Sequence, residues 1–154
     1  MTMRVDVQGR VSGAPSAARV RSVLSRAAKV SRSRAAEVSV LFCADGRMRS
    51  LNRRYRGKDR STDVLAFPAG PAARGFLGDI VVSVPYAGRE ARRRSEPPAR
   101  EVDRLLVHGF LHLMGYDHET DDGQMEALER RVRRRLGIAD VPAKPARRAA
   151  VRAR

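Results

Sequence analysis

The chain carries three histidines, His108, His112 and His118, and all of them fall in one short stretch. His108 and His112 stand at i and i+4 within a segment of helical periodicity, so their rings project from one side, one turn apart. Gly115 follows as a helix stop, and past it the chain can reverse and swing His118 back toward the first two. Three imidazoles with a fourth position left open are the ligand set of a catalytic zinc rather than a structural one. Imidazole also suits copper, iron and nickel, so the pattern predicts one zinc ion or another divalent transition metal. The competing reading is three unrelated histidines, satisfied in the core or exposed. The glycine turn inside the stretch, and the absence of His elsewhere, weigh against it.

The spacing His-x3-His-x2-Gly-x2-His is also that of the metzincin proteases. Those carry Glu directly after the first His, as the general base that activates water. Here that position is Gly109, which has no side chain. The metal skeleton is kept and the peptidase base is missing.

The element that must hold the first two histidines is a helix over about Ala99 to Met114, with Pro98 suited to its first turn. From Leu105 to Met114 it contains no Asp, Glu, Lys or Arg. A helix apolar all round is buried in the middle of a domain. Ahead of it the sequence predicts a short strand from Met3 to Gln8. A helix follows from Ala17 to about Arg34, with Val20, Val23, Leu24, Ala27 and Ala28 inward. Val38 to Cys43 reads as a buried strand, and Ala44-Asp45-Gly46 as a turn. A short basic helix then puts Met48, Leu51, Asn52 and Tyr55 on one face. Arg56 to Asp63 reads as a loop, Asp63 to Pro68 as a strand, and Ala69 to Arg74 as a second loop. Leu77 to Val84 is a third core strand, and Tyr86 to Arg94 a charged helix or turn. After the histidines, Thr120 or Asp121 can cap a last helix to about Leu136, with Met125, Leu128, Val132 and Leu136 inward.

A length of 154 residues suits one domain. We place it over residues 1–140, followed by a basic tail at 141–154 with five cations, no acid and a disordered composition. The formal net charge is +15, and removing the tail still leaves +10. Such a surface favours a polyanion, nucleic acid first and an anionic membrane surface second. A GC-rich genome would also give an Arg- and Ala-heavy composition. Cys43 is the single cysteine, which excludes an internal disulfide and a Cys-based zinc cluster. No secretory h-region opens the chain, and no apolar run approaches the ~20 residues of a membrane span. The expectation is a cytoplasmic protein with no membrane and no disulfide-linked partner.

The histidine stretch, with Leu113-Met114-Gly115-Tyr116-Asp117-His118, resembles the signature of the YbeY-type rRNA maturation factors, metal-dependent endoribonucleases specific for single strands. Three further segments match that family in order: Leu51-Asn52-Arg53-Arg54-Tyr55-Arg56-Gly57-Lys58-Asp59, Thr62-Asp63-Val64-Leu65-Ala66-Phe67-Pro68 and Leu77-Gly78-Asp79-Ile80-Val81. One departure is Ala66, where the family usually has Ser. The resemblance spans about Val38 to Leu136 and leaves out the tail. It implies an α+β fold: a small, mostly parallel mixed β-sheet packed by helices, with a zincin-like metal helix, in a single domain. It implies a zinc-dependent single-strand-specific endoribonuclease acting in small-subunit rRNA 3′-end processing and ribosome quality control. Partners would be single-stranded RNA, rRNA above all, and ribosomal small-subunit and ribosome-assembly proteins.

Phosphodiester cleavage builds negative charge on the non-bridging oxygens, so it needs a fixed cation opposite the metal. Arg56 is the candidate catalytic cation, because its planar fork can hold two phosphate oxygens and because the family match marks it. Arg56 and Lys58 together are the candidate RNA-binding pair. Asp79 reads as a partner contact or structural residue ahead of a general base. Asp117 reads as an acceptor for an imidazole or as a plain turn residue. Tyr55 could stack a base, though its spacing with Met48 and Leu51 reads as core. Arg130, Arg131 and Arg133 to Arg135 could track phosphates or simply form a solvated face. Two other functions stay open: a ribosome-assembly binding protein with a mainly structural metal, and a metallopeptidase on a zincin-like scaffold. Whether water or the RNA 2′-OH attacks is also left open.

Overall fold

The structure is a computed structural model and describes residues 2–117 and 119–140. Four strands make one sheet: β1 (Arg4–Gln8), β2 (Glu37–Cys43), β3 (Val64–Pro68) and β4 (Phe76–Ser83). Their order is β1-β2-β4-β3. β1, β2 and β4 run parallel, and β3 pairs antiparallel with β4 at the edge. Five α-helices pack on the sheet: α1 (Ala17–Val30), α2 (Asp45–Arg56), α3 (Val84–Arg93), α4 (Pro98–Leu113) and α5 (Gln124–Leu136). This is the α+β architecture with a mostly parallel mixed sheet that the family resemblance implies.

Alternation along the strands sends side chains to two unlike faces. One face carries Val38, Val40, Phe42, Val64, Ala66, Ile80 and Val82 into the main core, shared with α1, α4 and α5. The other carries Cys43, Leu65 and Val81, with Leu41 and Phe67, into a small cluster under Met48, Leu51 and Tyr55 of α2.

α4 is the central helix, buried continuously from Glu101 to Leu113. It packs on α1, α3, α5, β3 and β4 together. Two glycines let it lie against the sheet. A Cβ at Gly109 would stand 2.8 Å from Cγ2 of Ile80. A Cβ at Gly78, where φ is +139°, would stand 2.9 Å from Cδ2 of Leu113 and 2.2 Å from the Phe67 carbonyl. The charged first half of α4 is buried too, in pairs. Arg94 holds Glu101, Glu96 holds Arg104, and Arg19 reaches Asp103 at 2.7 Å. Pairing is what makes such burial tolerable.

Several boundaries differ from the sequence expectations. α1 stops at Val30 rather than near Arg34, because the Ser31 hydroxyl bonds back to the Ala27 carbonyl at 2.7 Å and Arg32 takes a left-handed φ of 56°. α2 starts at Asp45, inside the expected turn, and runs through Arg56. The segment expected as a loop at Ala69 to Arg74 contains one 3-10 turn, Pro71–Ala73. α5 begins at Gln124, later than a Thr120 or Asp121 cap would give. Asp121 still serves that end, since its carboxylate accepts the Gly123 and Met125 N–H groups at 2.9 Å each. The tail at 141–154 lies outside the described residues. No described helix is long and apolar enough to cross a membrane.

Candidate metal centre

α4 brings His108 and His112 together as the i, i+4 spacing predicts. Their ring centroids are 4.6 Å apart at 78°, and the two Nε2 atoms stand 3.1 Å from each other. Both residues are deeply buried, at 5% and 2% exposure. Two nitrogens bound to one tetrahedral zinc at 2.0–2.1 Å stand roughly 3.3 Å apart, so this pair fits adjacent corners of one ion. His118, the third predicted ligand, lies outside the described residues. Among the described residues no group of three His, Cys, Asp or Glu side chains is placed to hold a metal.

The sequence reading missed Glu129. Its carboxylate lies 2.8 Å from His108 Nδ1 and 3.5 Å from Arg133. A carboxylate there holds the His108 proton on Nδ1 and leaves Nε2 to offer its lone pair toward His112, which is the usual support for a metal-bound imidazole. The signal was present but faint. Glu129 sits four residues after Met125 and three before Val132, on the buried stripe of α5. The surrounding arginines disguise that stripe as a solvated face.

The turn after α4 is well fixed up to the third histidine. Gly115 takes φ +98°, and the Tyr116 N–H returns to the Leu111 carbonyl at 3.1 Å. The Asp117 carboxylate accepts the Glu119 N–H at 3.0 Å, and its carbonyl accepts those of Thr120 and Asp121. These contacts give Asp117 the turn role.

Arg56 approaches from the opposite face of the sheet. It is the last residue of α2, and the preceding Tyr55 sets its ring edge-on to Phe67 at 5.1 Å. Tyr55 thus packs, partly buried, against the small cluster under α2. Phe67 pairs with Asp79, and the next rung is Pro68 with Gly78. Gly78 is also where Leu113 of α4 touches down from the other side. The Arg56 end of α2 and the His112 end of α4 therefore reach neighbouring rungs at one end of the β3–β4 ladder, with edge strand β3 beside both.

Lys58 is exposed on a loop folded back on α2. Gly57 is left-handed at φ 68°, its N–H bonds the Arg53 carbonyl, and the Lys58 N–H bonds that of Asn52. Asn52, 1% exposed, donates from Nδ2 to the Arg60 carbonyl at 2.9 Å and pins the far side of the loop. Asp79 sits half-buried on the α2 face beside Ser39, and burial pushes its carboxyl above the ordinary aspartate range. On α5, Arg130 and Arg133 have acidic partners in Glu126 and Asp140.

Known proteins match the chain over this same span. The family model described as "Endoribonuclease YbeY" covers residues 7–137. The Endoribonuclease YbeY of Azorhizobium caulinodans is 42% identical over 145 residues, covering 88% of this chain and 91% of the relative. That of Methylocella silvestris is 49% identical over 109 residues, 68% of this chain and 62% of the relative. That of Rhizobium meliloti is 47% identical over 113 residues, 69% and 67%. Among solved structures, the solution structure of TM1509 from Thermotoga maritima matches with a TM-score of 0.58 at 24% identity, over 92% of this chain and 99% of that one. It supports the fold.

Proposed function

This chain belongs to the endoribonuclease YbeY family, and from that premise we propose that it is a zinc-dependent endoribonuclease that cuts single-stranded RNA in small-subunit rRNA 3′-end processing and ribosome quality control. Its place of work is the cytoplasm, and its partners are small-subunit ribosomal and ribosome-assembly proteins. The observation that carries the metal reading is the facing Nε2 pair of His108 and His112, with Glu129 on His108 Nδ1.

His108, His112 and His118 would hold the ion. When bound, it supplies Lewis acidity toward a phosphoryl oxygen and lowers the pKa of water. The remaining work falls to side chains of the chain itself. Glu129 holds the Nδ1 proton of His108 and fixes its ring. Arg56 receives the charge that builds on the non-bridging oxygens, with Lys58 binding a flanking phosphate. A strand crossing the β3 edge meets both faces of the sheet, the imidazoles on one side and the end of α2 on the other. Single-stranded RNA suits such an edge, since a duplex cannot bend around it so tightly. The metzincin alternative is disfavoured by packing as well as by chemistry: Gly109 lies against Ile80 and leaves no room for the glutamate that such a peptidase needs.

The test is cleavage of a labelled single-stranded RNA by the purified zinc-loaded chain, beside a chelated sample and the His112→Ala and Arg56→Ala variants. Chelation and His112→Ala are expected to abolish cleavage, and Arg56→Ala to lower kcat by about 100-fold or more. Equal cleavage in all samples would sink the catalytic reading. Unfolding on chelation, with no cleavage by the loaded chain, would favour a structural metal.

A further inference from the structure

A second feature lies beyond the metal pair. An open groove of about 400 Å³ runs between the segment joining α1 to β2 and the start of β4. Arg32, Arg34 and Arg74 line it, with Phe76, Leu77 and Met114 as its apolar part, and no Asp or Glu contributes. Met114 caps the C-terminus of α4, two positions past His112, so the groove begins where the metal helix stops.

The three arginines differ from those held in ion pairs elsewhere in the molecule. Arg19, Arg49, Arg89, Arg93, Arg94, Arg104, Arg130 and Arg133 all have a carboxylate partner. Among the described residues no carboxylate pairs with Arg32, Arg34 or Arg74, and all three are exposed. Their loops are nevertheless fixed. The N–H groups of Ala36 and Glu37 both donate to the Gly75 carbonyl, at 2.8 and 3.0 Å, and the Ser33 N–H donates to that of Ala28 at 2.9 Å. Arg32 and Arg74 both hold left-handed backbone, at φ 56° and 32°, a conformation that non-glycine residues rarely adopt.

We propose that this groove is the subsite for the RNA strand beyond the scissile phosphate: Arg32, Arg34 and Arg74 bind successive phosphodiesters, and Phe76 stacks one base. The proposal rests on the nuclease reading for its direction, outward from the metal pair. Unpaired guanidinium groups beside an aromatic ring are what a single strand requires, a cationic track with a sequence-tolerant stacking platform. An acidic peptide would use the charges and leave the aromatic surface without a role.

The test is binding of a cleavage-resistant 2′-O-methyl phosphorothioate octamer and dimer to the zinc-loaded full chain, followed by fluorescence anisotropy from 50 to 200 mM salt. The groove variant is Arg32→Gln/Arg34→Gln/Arg74→Gln. A control with the same charge removed is Arg10→Gln/Arg47→Gln/Arg92→Gln, all exposed and none in the groove lining. The groove variant is expected to bind the octamer at least 30-fold more weakly. Its salt slope should fall by about 2, near 0.7 per lost phosphate contact. Its affinity for the dimer should hold, and the control should change octamer binding less than 3-fold. Phe76→Ala should weaken octamer binding with no change in salt slope. Equal octamer affinity in groove and control variants would overturn the subsite, whatever the cleavage assay gives. Length- and groove-dependent binding by a chain that cuts no RNA would uphold the subsite and count against the nuclease. Binding of an oligoglutamate through the three arginines, with the octamer indifferent to them, would overturn the proposal in favour of a protein partner.

Discussion

α4 and α2 lie on opposite faces of one sheet and are built on opposite terms. Thirteen consecutive residues of α4, Glu101 to Leu113, are buried, whereas α2 buries only Met48 and Asn52 of its twelve. α4 meets three helices and two strands, and its two imidazoles are part of that packed interior. α2 covers its face alone and shows solvent Arg47, Arg49, Arg53 and Arg54. The proposed site draws one kind of group from each. A metal ligand needs fixed geometry and a dry surround, so it belongs in the core. A phosphate-binding cation must meet a solvated polyanion, so it belongs at a surface helix end. On α4, then, altering function and altering folding are hard to separate. On α2 they come apart.

The largest expected effect tests that separation. Phe110→Ala, at a fully buried position of α4, should cost about 3–5 kcal/mol, read as a lower denaturant midpoint at unchanged m-value. Arg53→Ala on exposed α2 should stay within about 0.5 kcal/mol. Comparable losses at both sites would erase the contrast. Glu129→Gln comes next. It keeps the shape and removes the charge that holds the His108 proton, so zinc affinity should drop about 10- to 100-fold by competition with a chromophoric chelator, with folding of the metal-free chain nearly unchanged. Unaltered zinc affinity would reduce Glu129 to a packing partner. Gly109→Ala follows, on the side of α4 that touches the sheet. Its Cβ would press on Ile80, which is branched and held in the core, so a loss of about 1–3 kcal/mol is expected in the same denaturant experiment. No loss would mean that helix and sheet are free to part.

The legible and illegible parts of the chain divide along the same line. The apolar second half of α4 announced its burial, because ten residues without a charge have no solvent-facing side. Its first half did not. Glu101, Asp103 and Arg104 read as surface residues, and only the fold supplies their partners: Arg94 and Glu96 from the turn before α4, and Arg19 from a helix 84 positions away. The His108 and His112 pairing was legible because helix geometry is local. Glu129 was not, since its partner is 21 positions distant. The family resemblance marked Arg56, but the opposite-face approach of α2 is a matter of sheet topology that no motif spells out. The groove arginines fell where the sequence suggested a helix end and a loop. What groups them is one groove with no acid in its lining, a property of the assembled surface.

The smallest effect concerns how the thin face is held. Under α2, two aspartates have been moved in opposite directions. Arg89, with the Ser61 and Ser83 hydroxyls, holds the Asp45 carboxyl below its usual range. Burial raises that of Asp79, against a smaller opposing hydrogen bond with Ser39. For Asp45 the folded chain favours the carboxylate, so its contribution is present above about pH 4 and fades as pH falls through the lowered value. For Asp79 the sign reverses. Below about pH 4 the acid is protonated in both states and carries no penalty. As pH rises, the unfolded chain gives up this proton first, and stability declines until the raised folded value is passed. Above that point the penalty is constant and fully present at neutral pH. Asp79→Asn should therefore stabilise the chain slightly at pH 7, with the gain shrinking to nothing near pH 3. Asp45→Asn should destabilise it at pH 7, with the loss vanishing in acid. Urea midpoints of both variants and the parent, measured from pH 3 to 7, read the two trends in one experiment. Parallel curves would show that neither carboxylate is coupled to folding, and that the α2 face is held by its apolar cluster.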